Sequence, residues 1–159
     1  MLWSIVTVAR NEDSMLTHRL ATPADIPLLA DLNRQLVEDE RDPRVFSLDE
    51  LVTFWEKWLA SDYQAVIFEQ AGETAAYALY RPDEEGTTYL RHFFVCREFR
   101  RRGLGRKAMQ QLREEIWPPG TRILLEVLLD NTAARQFWRA VGFQDHALVL
   151  ILPGQSQTK

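Results

Sequence analysis

Apolar residues recur along the chain with two periods, and the period predicts the type of each element. Residues 26–37 are apolar at helical spacing and follow Thr22 and Pro23, a start typical of a helix. Ser47, with Glu50 three residues later, has the spacing of a capping box before a second apolar helical face. The first half of the chain therefore contains two amphipathic helices, preceded by a short strand.

Three strands are predicted after these helices. Residues 65–70 and 73–81 flank Ala71 and Gly72, which favours a hairpin. Residues 87–95 predict a longer third strand. Together they indicate an antiparallel meander.

The second half of the chain returns to alternating strands and helices. A helical apolar face runs over residues 103–116, and the continuous apolar run 122–129 predicts a strand buried on both faces. Residues 134–141 predict another helix that Gly142 ends, and residues 143–152 predict a last strand. No internal repeat or interdomain linker interrupts this order.

Composition limits the class of protein. The chain has 159 residues, 46% of them hydrophobic, a net charge of -4 and one cysteine, which favours a single domain over residues 15–153 in a reducing compartment, with cytoplasm as the expected location. Residues 1–14 are expected to be an extension outside the core and residues 154–159 a flexible tail. The acidic balance argues against a general nucleic-acid binder, and the apolar opening is too short for a membrane span.

The positive charge is concentrated at one place, where Arg100, Arg101 and Arg102 precede Gly103 and Gly105 at a predicted helix start. Main-chain N–H groups are unpaired at a helix start, and glycines let an anion approach them. This pattern predicts a phosphate site, although a basic run is more often a solvated face.

Two motifs favour the phosphate site over a solvated basic face. "FFVCREFRRRGLG" resembles the acetyl-CoA signature of the GNAT superfamily of N-acetyltransferases, with Arg100-x-x-Gly103-x-Gly105 in the phosphate-binding turn. "LEVLLDNTAARQFWRAVGF" is similar to the closing pattern of the same family. The resemblance implies an α/β (α+β) fold with a mixed, mostly antiparallel twisted sheet, splayed at the acetyl-CoA site, with helices on both faces.

The resemblance also implies the cofactor contacts. The diphosphate would lie on the N–H groups of residues 101–106 and the pantetheine arm along the main chain of residues 94–96, while Asn131 is either a contact of the arm, a helix N-cap or both. The expected acetyl-CoA residues are Phe94, Val95, Cys96, Arg100, Arg101, Arg102, Gly103, Leu104, Gly105, Arg106, Asn131, Ala134, Phe137 and Trp138.

Acetyl transfer to an amine needs a base, and Glu126 is similar in placement to a glutamate that some family members use; the alternative is a solvated strand residue. Tyr89 is the second candidate. Trp138 stands where the family commonly has a tyrosine that protonates the leaving thiolate, and an indole cannot supply that proton. Deprotonating a lysine-like amine at pH 7 costs about 4.6 kcal/mol, and deprotonating an α-amine costs about 1.0–1.4 kcal/mol. A site with weak acid and base groups therefore favours an acceptor amine of low pKa.

Other reactive side chains have structural explanations. Cys96 lacks an apparent His-Asp arrangement and is expected to pack, and His92 is expected to be a core histidine. The acidic residues Glu38, Asp39, Glu40 and Asp42 are either solvated charge or an attraction for a cationic amine.

These observations predict an enzyme that moves acetyl from acetyl-CoA to a primary amine of a small molecule, peptide or protein. A catalytically weak acyl-CoA-binding regulatory module is the alternative, and a nucleic-acid contact through residues 97–107 is a third, weaker reading. Neither a metal nor a membrane partner is expected, and a homodimer is left open.

Overall fold

A computed structural model describes residues 15–154. The predicted extension 1–14 and all of the predicted tail except Gly154 lie outside the described residues. The contacts between residues divide the chain into two compact units at the boundary between Glu126 and Val127. Each unit is described by itself.

The first unit is built on a mixed five-stranded sheet in the order β1-β2-β3-β4-β5. The first four strands are antiparallel neighbours, and β5 runs parallel to β4. The strands are β1 (Leu16–Leu20), β2 (Gln64–Gln70), β3 (Glu73–Pro82), β4 (Thr87–Val95) and β5 (Arg122–Leu124). The predicted meander of β2, β3 and β4 is confirmed.

Residues 15–154 form four α-helices. They are α1 (Ile26–Glu40), α2 (Leu48–Leu59), α3 (Leu104–Gln111) and, in the second unit, α4 (Thr132–Ala140). The predicted capping box of α2 is present, because Ser47 accepts from the Glu50 N–H and the Glu50 carboxylate accepts from the Ser47 N–H. A π-helical stretch, Leu112–Ile116, continues α3.

Helices cover both faces of the sheet in the first unit. Trp55 of α2 packs edge-on against Tyr77 of β3, with ring centroids 5.5 Å apart. Trp117, which follows α3 and its π-helical continuation, packs against Tyr80 at 5.4 Å. Tyr77 and Tyr80 are three residues apart on one strand and so point to opposite faces. The predicted arrangement of helices is confirmed.

The sheet opens where β5 leaves β4. The β4–β5 ladder holds only Thr87, Thr88 and Tyr89 on the β4 side, and it ends at the pair Tyr89 and Leu124. β4 continues for six more residues to Val95, so its later half has an edge that β5 does not cover.

The strand predicted over residues 122–129 is shorter and more exposed than expected. Only Arg122–Leu124 form a ladder, and burial alternates between exposed and intermediate instead of being complete. A continuous apolar run becomes a doubly buried strand only if layers cover both of its faces, and β5 lacks that cover within its unit.

The second unit contains α4, which begins at its N-cap Asn131 and is followed by Gly142 with a φ of 106°. None of the helix residues is fully buried. The predicted last strand is not formed, because residues 143–152 join no ladder within the described part of the chain. A strand needs a partner for its main-chain hydrogen bonds, whereas a helix does not.

Candidate active site

The turn between β4 and α3 has an unusual backbone conformation. β4 ends at Val95, the residues Arg97–Phe99 form one 3-10 turn, and Gly103 caps α3 in the left-handed conformation with a φ of 73°. Arg101 also has a positive φ, of 60°. Left-handed residues alternating with others turn successive N–H groups toward one side, which forms an anion-binding concavity.

The N–H groups of this turn are available. Among residues 15–154, the main-chain N–H groups of residues 101–105 donate to no carbonyl or side chain, and the first α3 hydrogen bond is from Lys107 to Gly103 at 3.1 Å. A Cβ added to Gly103 would meet no atom within 4 Å, so the space in front of the turn is open. The positive end of the α3 dipole adds to the attraction for an anion.

Arg100 does not extend freely from this turn. Its Nε donates to the Val95 carbonyl at 2.8 Å, Nη2 contacts the Asp39 carboxylate at 2.6 Å, and its guanidinium lies 5.2 Å from the Phe94 ring centroid. Arg97 pairs with the same carboxylate at 2.9 Å. The end of α1 is therefore tied to the turn, and Arg100 is a structural link as well as a predicted cofactor residue.

The carboxylate at the centre of this link is ionised. Partial burial acts to raise the pKa of Asp39, but hydrogen bonds from Arg100 and Arg97 outweigh it, and the pKa lies below its usual range. The sequence indicates Asp39 only as solvated charge or an attraction for a cationic amine; its tie to the turn has no local signal, because its partners are 58 and 61 positions away.

The other predicted cofactor residues of the turn differ in how far their side chains are buried. Leu104 is buried under α3 and anchors the start of the helix. The Arg102 guanidinium lies 5.8 Å from the Phe99 ring centroid. Arg101 and Arg106 are exposed, and Gly105 lies in the first turn of α3.

The main chain of β4 presents one of the three predicted pantetheine contacts to the open edge. Cys96 donates to the Ala75 carbonyl at 2.9 Å and accepts from the Phe99 N–H at 2.9 Å, so its main-chain groups are used inside the fold. Because N–H and C=O directions alternate along a strand, Phe94 also faces β3 and Val95 faces the open side. Val95 is therefore the residue of this group whose N–H can bind an added strand, since its carbonyl already accepts from Arg100.

Cys96 is buried, and burial lowers the reactivity of its thiol. Burial, followed by the Glu98 charge, raises the pKa of the thiol to about 11. A thiol of that pKa carries very little thiolate at neutral pH. The structure supports the expected packing role.

The two candidate catalytic residues lie where β4 and β5 separate. Tyr89 is half-buried and pairs with Leu124, two residues before the exposed Glu126. Partial burial and the Glu126 charge raise the pKa of Tyr89, against the opposing charges of Arg91 and Arg81. Tyr89 thus keeps its phenolic proton at neutral pH and is a donor, whereas a carboxylate at Glu126 is an acceptor.

His92 belongs to an aromatic cluster between α2 and the sheet. Its Nδ1 lies 3.3 Å from the Tyr77 hydroxyl, and its ring packs edge-on against Trp58 at 5.1 Å. Burial among these rings, aided by the Arg91 charge, lowers the pKa of His92 to about 3. The imidazole is neutral, as expected of a core histidine.

The acidic segment at the end of α1 is largely neutralised by the protein itself. Glu38 and Asp39 pair with Arg97, and Asp42 pairs with Arg44 at 2.6 Å. These three carboxylates are therefore already paired, whereas Glu40, the fourth predicted acidic residue, has no ion pair among residues 15–154.

The predicted site residues of the second unit lie along α4 and at its N-cap. Asn131 Oδ1 accepts from the Ala134 N–H at 3.1 Å, which confirms its N-cap role. Phe137 and Trp138 are half-buried, with ring centroids 4.9 Å apart, and Trp138 also packs against Phe143 at 5.1 Å.

A cavity of about 260 Å³ lies elsewhere, beside His18, Gln64 and Tyr80, and contains none of the predicted site residues. Among residues 15–154, no helix is long and apolar enough to cross a membrane. The same residues include no cluster of His, Cys, Asp or Glu side chains able to hold a metal ion.

Several solved structures share this fold at low sequence identity. A possible acetyltransferase from Clostridium difficile 630 has a TM-score of 0.71 at 14% identity, over 89% of this chain and 99% of that chain. A predicted acetyltransferase from Clostridium acetobutylicum, solved with acetyl-CoA, has a TM-score of 0.65 at 21% identity, over 87% and 96%. Aminoglycoside N-acetyltransferase AAC(6')-Iy, solved with CoA, has a TM-score of 0.67 at 19% identity, over 89% and 96%.

Sequence comparison gives the family. No curated protein matches the chain. The profile of the Acetyltransferase (GNAT) family matches residues 29–143, which include α1 to α4 from Leu29 onward and the β4–α3 turn. The chain belongs to the GNAT acetyltransferase family.

Proposed function

We propose that the protein is an N-acetyltransferase that moves acetyl from acetyl-CoA to a primary amine of a small molecule, peptide or protein. One observation carries the proposal: the N–H groups of residues 101–105 lie together, without acceptors in the described structure, at the start of α3. Five donors at a helix N-terminus match the needs of a diphosphate. Family membership supplies the reaction class.

The residues present fit the cofactor. The turn of residues 101–106 would hold the diphosphate through main-chain N–H groups, with Arg101, Arg102 and Arg106 beside it. The open edge of β4 at Val95 would hold the pantetheine arm as an added strand. The assignment of Asn131, Ala134, Phe137 and Trp138 to the cofactor rests on the family motif.

The chemistry divides between a cosubstrate and two side chains. Acetyl-CoA, when bound, supplies an activated acetyl thioester. Glu126 accepts the proton of the acceptor ammonium, directly or through water, so that the amine is neutral when it reacts. Tyr89 is the second candidate for this base, and its raised pKa keeps it protonated at rest. Position 138 lacks the family tyrosine, and a thiol with a pKa near 8.5 can leave as the anion when the C–S bond breaks. The N–H of Val95 faces the open edge and can stabilise a developing oxyanion.

The test combines binding and turnover. Acetyl-CoA should raise the melting temperature of the protein, and a coupled assay across an amine panel should detect release of the CoA thiol. Glu126→Gln should lower turnover by about 10²-fold without changing the cofactor-induced shift. The matched control is Glu84→Gln, which changes an exposed glutamate in the turn between β3 and β4. Equal turnover in both variants would remove Glu126 from the mechanism.

Trp138 favours a second candidate function, an acyl-CoA-responsive binding module with little turnover. An indole cannot donate the proton that the family tyrosine gives. This candidate predicts a normal cofactor-induced shift with no release of the CoA thiol in the presence of any amine in the panel. The same assay therefore separates the two functions.

A further inference from the structure

We infer that Arg91, supported by Arg81, binds an anionic group of the acceptor, most simply a carboxylate carried by the amine that is acetylated. The inference rests on the proposed acetyl transfer and names the substrate class of that site. It begins from the position of Arg91 in β4. Arg91 lies two residues after Tyr89, on the part of β4 that β5 no longer covers.

A β-bulge sets the direction of Arg91. Leu79 pairs with His92 and Tyr80 pairs with Leu90, so Arg91 is the extra residue that no β3 residue opposes. A bulge turns a side chain away from the regular alternation of a strand and is frequent beside active sites. Here it turns an arginine out of the ladder next to the candidate catalytic tyrosine.

The guanidinium of Arg91 is held by aromatic rings. It lies 5.0 Å from the Trp58 ring centroid and 5.8 Å from that of Tyr63, and Nη1 is 3.4 Å from the Tyr63 hydroxyl. Trp58 is itself packed against Trp55 and His92 at 5.4 and 5.1 Å. The cation is therefore positioned before a ligand arrives, which reduces the entropy lost on binding.

Arg91 has aromatic partners but no carboxylate partner among the described residues. Within residues 15–154, no carboxylate lies within 4 Å of it, whereas Arg97 and Arg100 each have one within 3 Å. Arg81 stacks on Tyr63 at 5.3 Å, and its one ion pair, to the exposed Asp62, is long at 3.9 Å. Both guanidinium groups act on Tyr89 by lowering its pKa, so their charge reaches the catalytic region.

This charge distribution selects among acceptors. Glu38 and Asp39 at the end of α1 are paired with arginines, and Glu126 is the carboxylate whose charge acts on Tyr89 beside the two cations. A guanidinium binds a carboxylate through parallel N–H donors, and a nearby positive charge favours the neutral form of an amine. An amine that carries a carboxylate gains from both effects, while a polycationic acceptor is repelled.

The first experiment compares matched acceptors. Thiol release is measured with the common α-amino acids and with the amines formed by their decarboxylation, and the acid-to-amine ratio of kcat/KM is the readout. We expect the preferred acids to exceed their amines by about 10- to 100-fold, mainly through KM. Arg91→Gln should bring that ratio close to one. The matched control is Arg113→Gln, which changes an exposed arginine in the π-helical stretch and should keep the ratio.

A second measurement does not depend on turnover. Calorimetry compares binding of N-acetyl amino acids and N-acetyl amines to the wild-type protein and to Arg91→Gln, with and without CoA. Tighter binding of the acids that Arg91→Gln removes supports the subsite, even if no amine is acetylated and the proposed function fails. Equal binding of the N-acetyl amino acids and the N-acetyl amines, or tighter binding of the N-acetyl amines, overturns the subsite. In that case, release of the CoA thiol with acceptor amines that carry no carboxylate still supports the proposed function.

Discussion

Two regions of the molecule are ordered in different ways. Residues 87–111 of the first unit combine a strand, a left-handed turn and a helix, and α3 buries Leu104, Ala108 and Met109. Residues 127–154 of the second unit contain α4, which has a well-separated apolar face but no fully buried residue, and an exposed apolar run over residues 148–152.

The difference lies in where each region finds its hydrogen-bond and packing partners. The β4–α3 turn is fixed by residues distant in sequence, through the Asp39 ion pairs and the ladder to β3. The α4 helix is fixed by bonds within itself and by its Asn131 cap. Changes in the first region should therefore affect the whole unit or its ligand, and changes in the second should stay local.

The largest expected effect is at Gly103. Gly103→Glu forces a side chain into a left-handed conformation, at a cost of about 1–2 kcal/mol, and brings a negative charge to the phosphate site. We expect the melting shift with CoA to be lost. Gly86→Glu is the matched control, since Gly86 has a φ of 76° and equally open surroundings in the β3–β4 turn. It should lose similar stability and keep the shift; loss of the shift in both variants would contradict a local site.

Cys96 gives the second largest effect. With a thiol pKa of about 11, the folded protein should react with a maleimide at pH 8 about 10²-fold more slowly than the urea-unfolded chain, whose thiol has an ordinary pKa. Mass spectrometry of the time course measures both rates. Equal rates would show that the start of the turn is not packed as described.

The Asp39 link should give a smaller change. Asp39→Asn removes the charge shared by Arg97 and Arg100, and exposed pairs of this kind contribute about 0.5–1 kcal/mol. The depressed pKa of Asp39 stabilises the fold above the usual aspartate range, and this contribution is lost as pH falls through the folded-state pKa. Urea unfolding should thus show a difference from wild type at pH 7 that shrinks below about pH 4.

A matched pair separates the link from an ordinary surface charge. Asp31→Asn breaks the ion pair to Arg34 within α1, at 2.7 Å. It should change stability by a similar or smaller amount but leave CoA affinity unchanged, whereas Asp39→Asn should weaken it. Equal CoA affinities in the two variants would mean that the link does not shape the turn.

The smallest expected effect on global stability is at the α4 cap. Asn131→Ala removes the hydrogen bond to the Ala134 N–H, at a cost of about 1 kcal/mol. Because α4 has no fully buried residue, we expect faster hydrogen exchange in residues 134–140 with little change in global stability. Ser47→Ala makes the same change at α2, which buries Leu51 and Trp55, and should lower global stability instead. A global loss from Asn131→Ala would contradict the local character of α4.

Sequence predicted the elements whose signals are local. Capping residues marked α2 and α4, and Gly103 marked the start of α3, because caps and left-handed glycines act on their own neighbours. The runs at 122–129 and 143–152 were overestimated as strands, since apolar composition does not supply a partner strand. The tie between Asp39 and Arg100 spans 61 residues and has no local signal.

Arg100 contacts the Val95 carbonyl, the Phe94 ring and the last turn of α1 with a single side chain. Displacement of the turn must therefore move the helix end as well. If binding of a diphosphate changes the conformation of the turn, the end of α1 moves with it. The acceptor site is then complete only after the nucleotide has bound. Steady-state kinetics with this enzyme should show compulsory order, with the nucleotide substrate entering first.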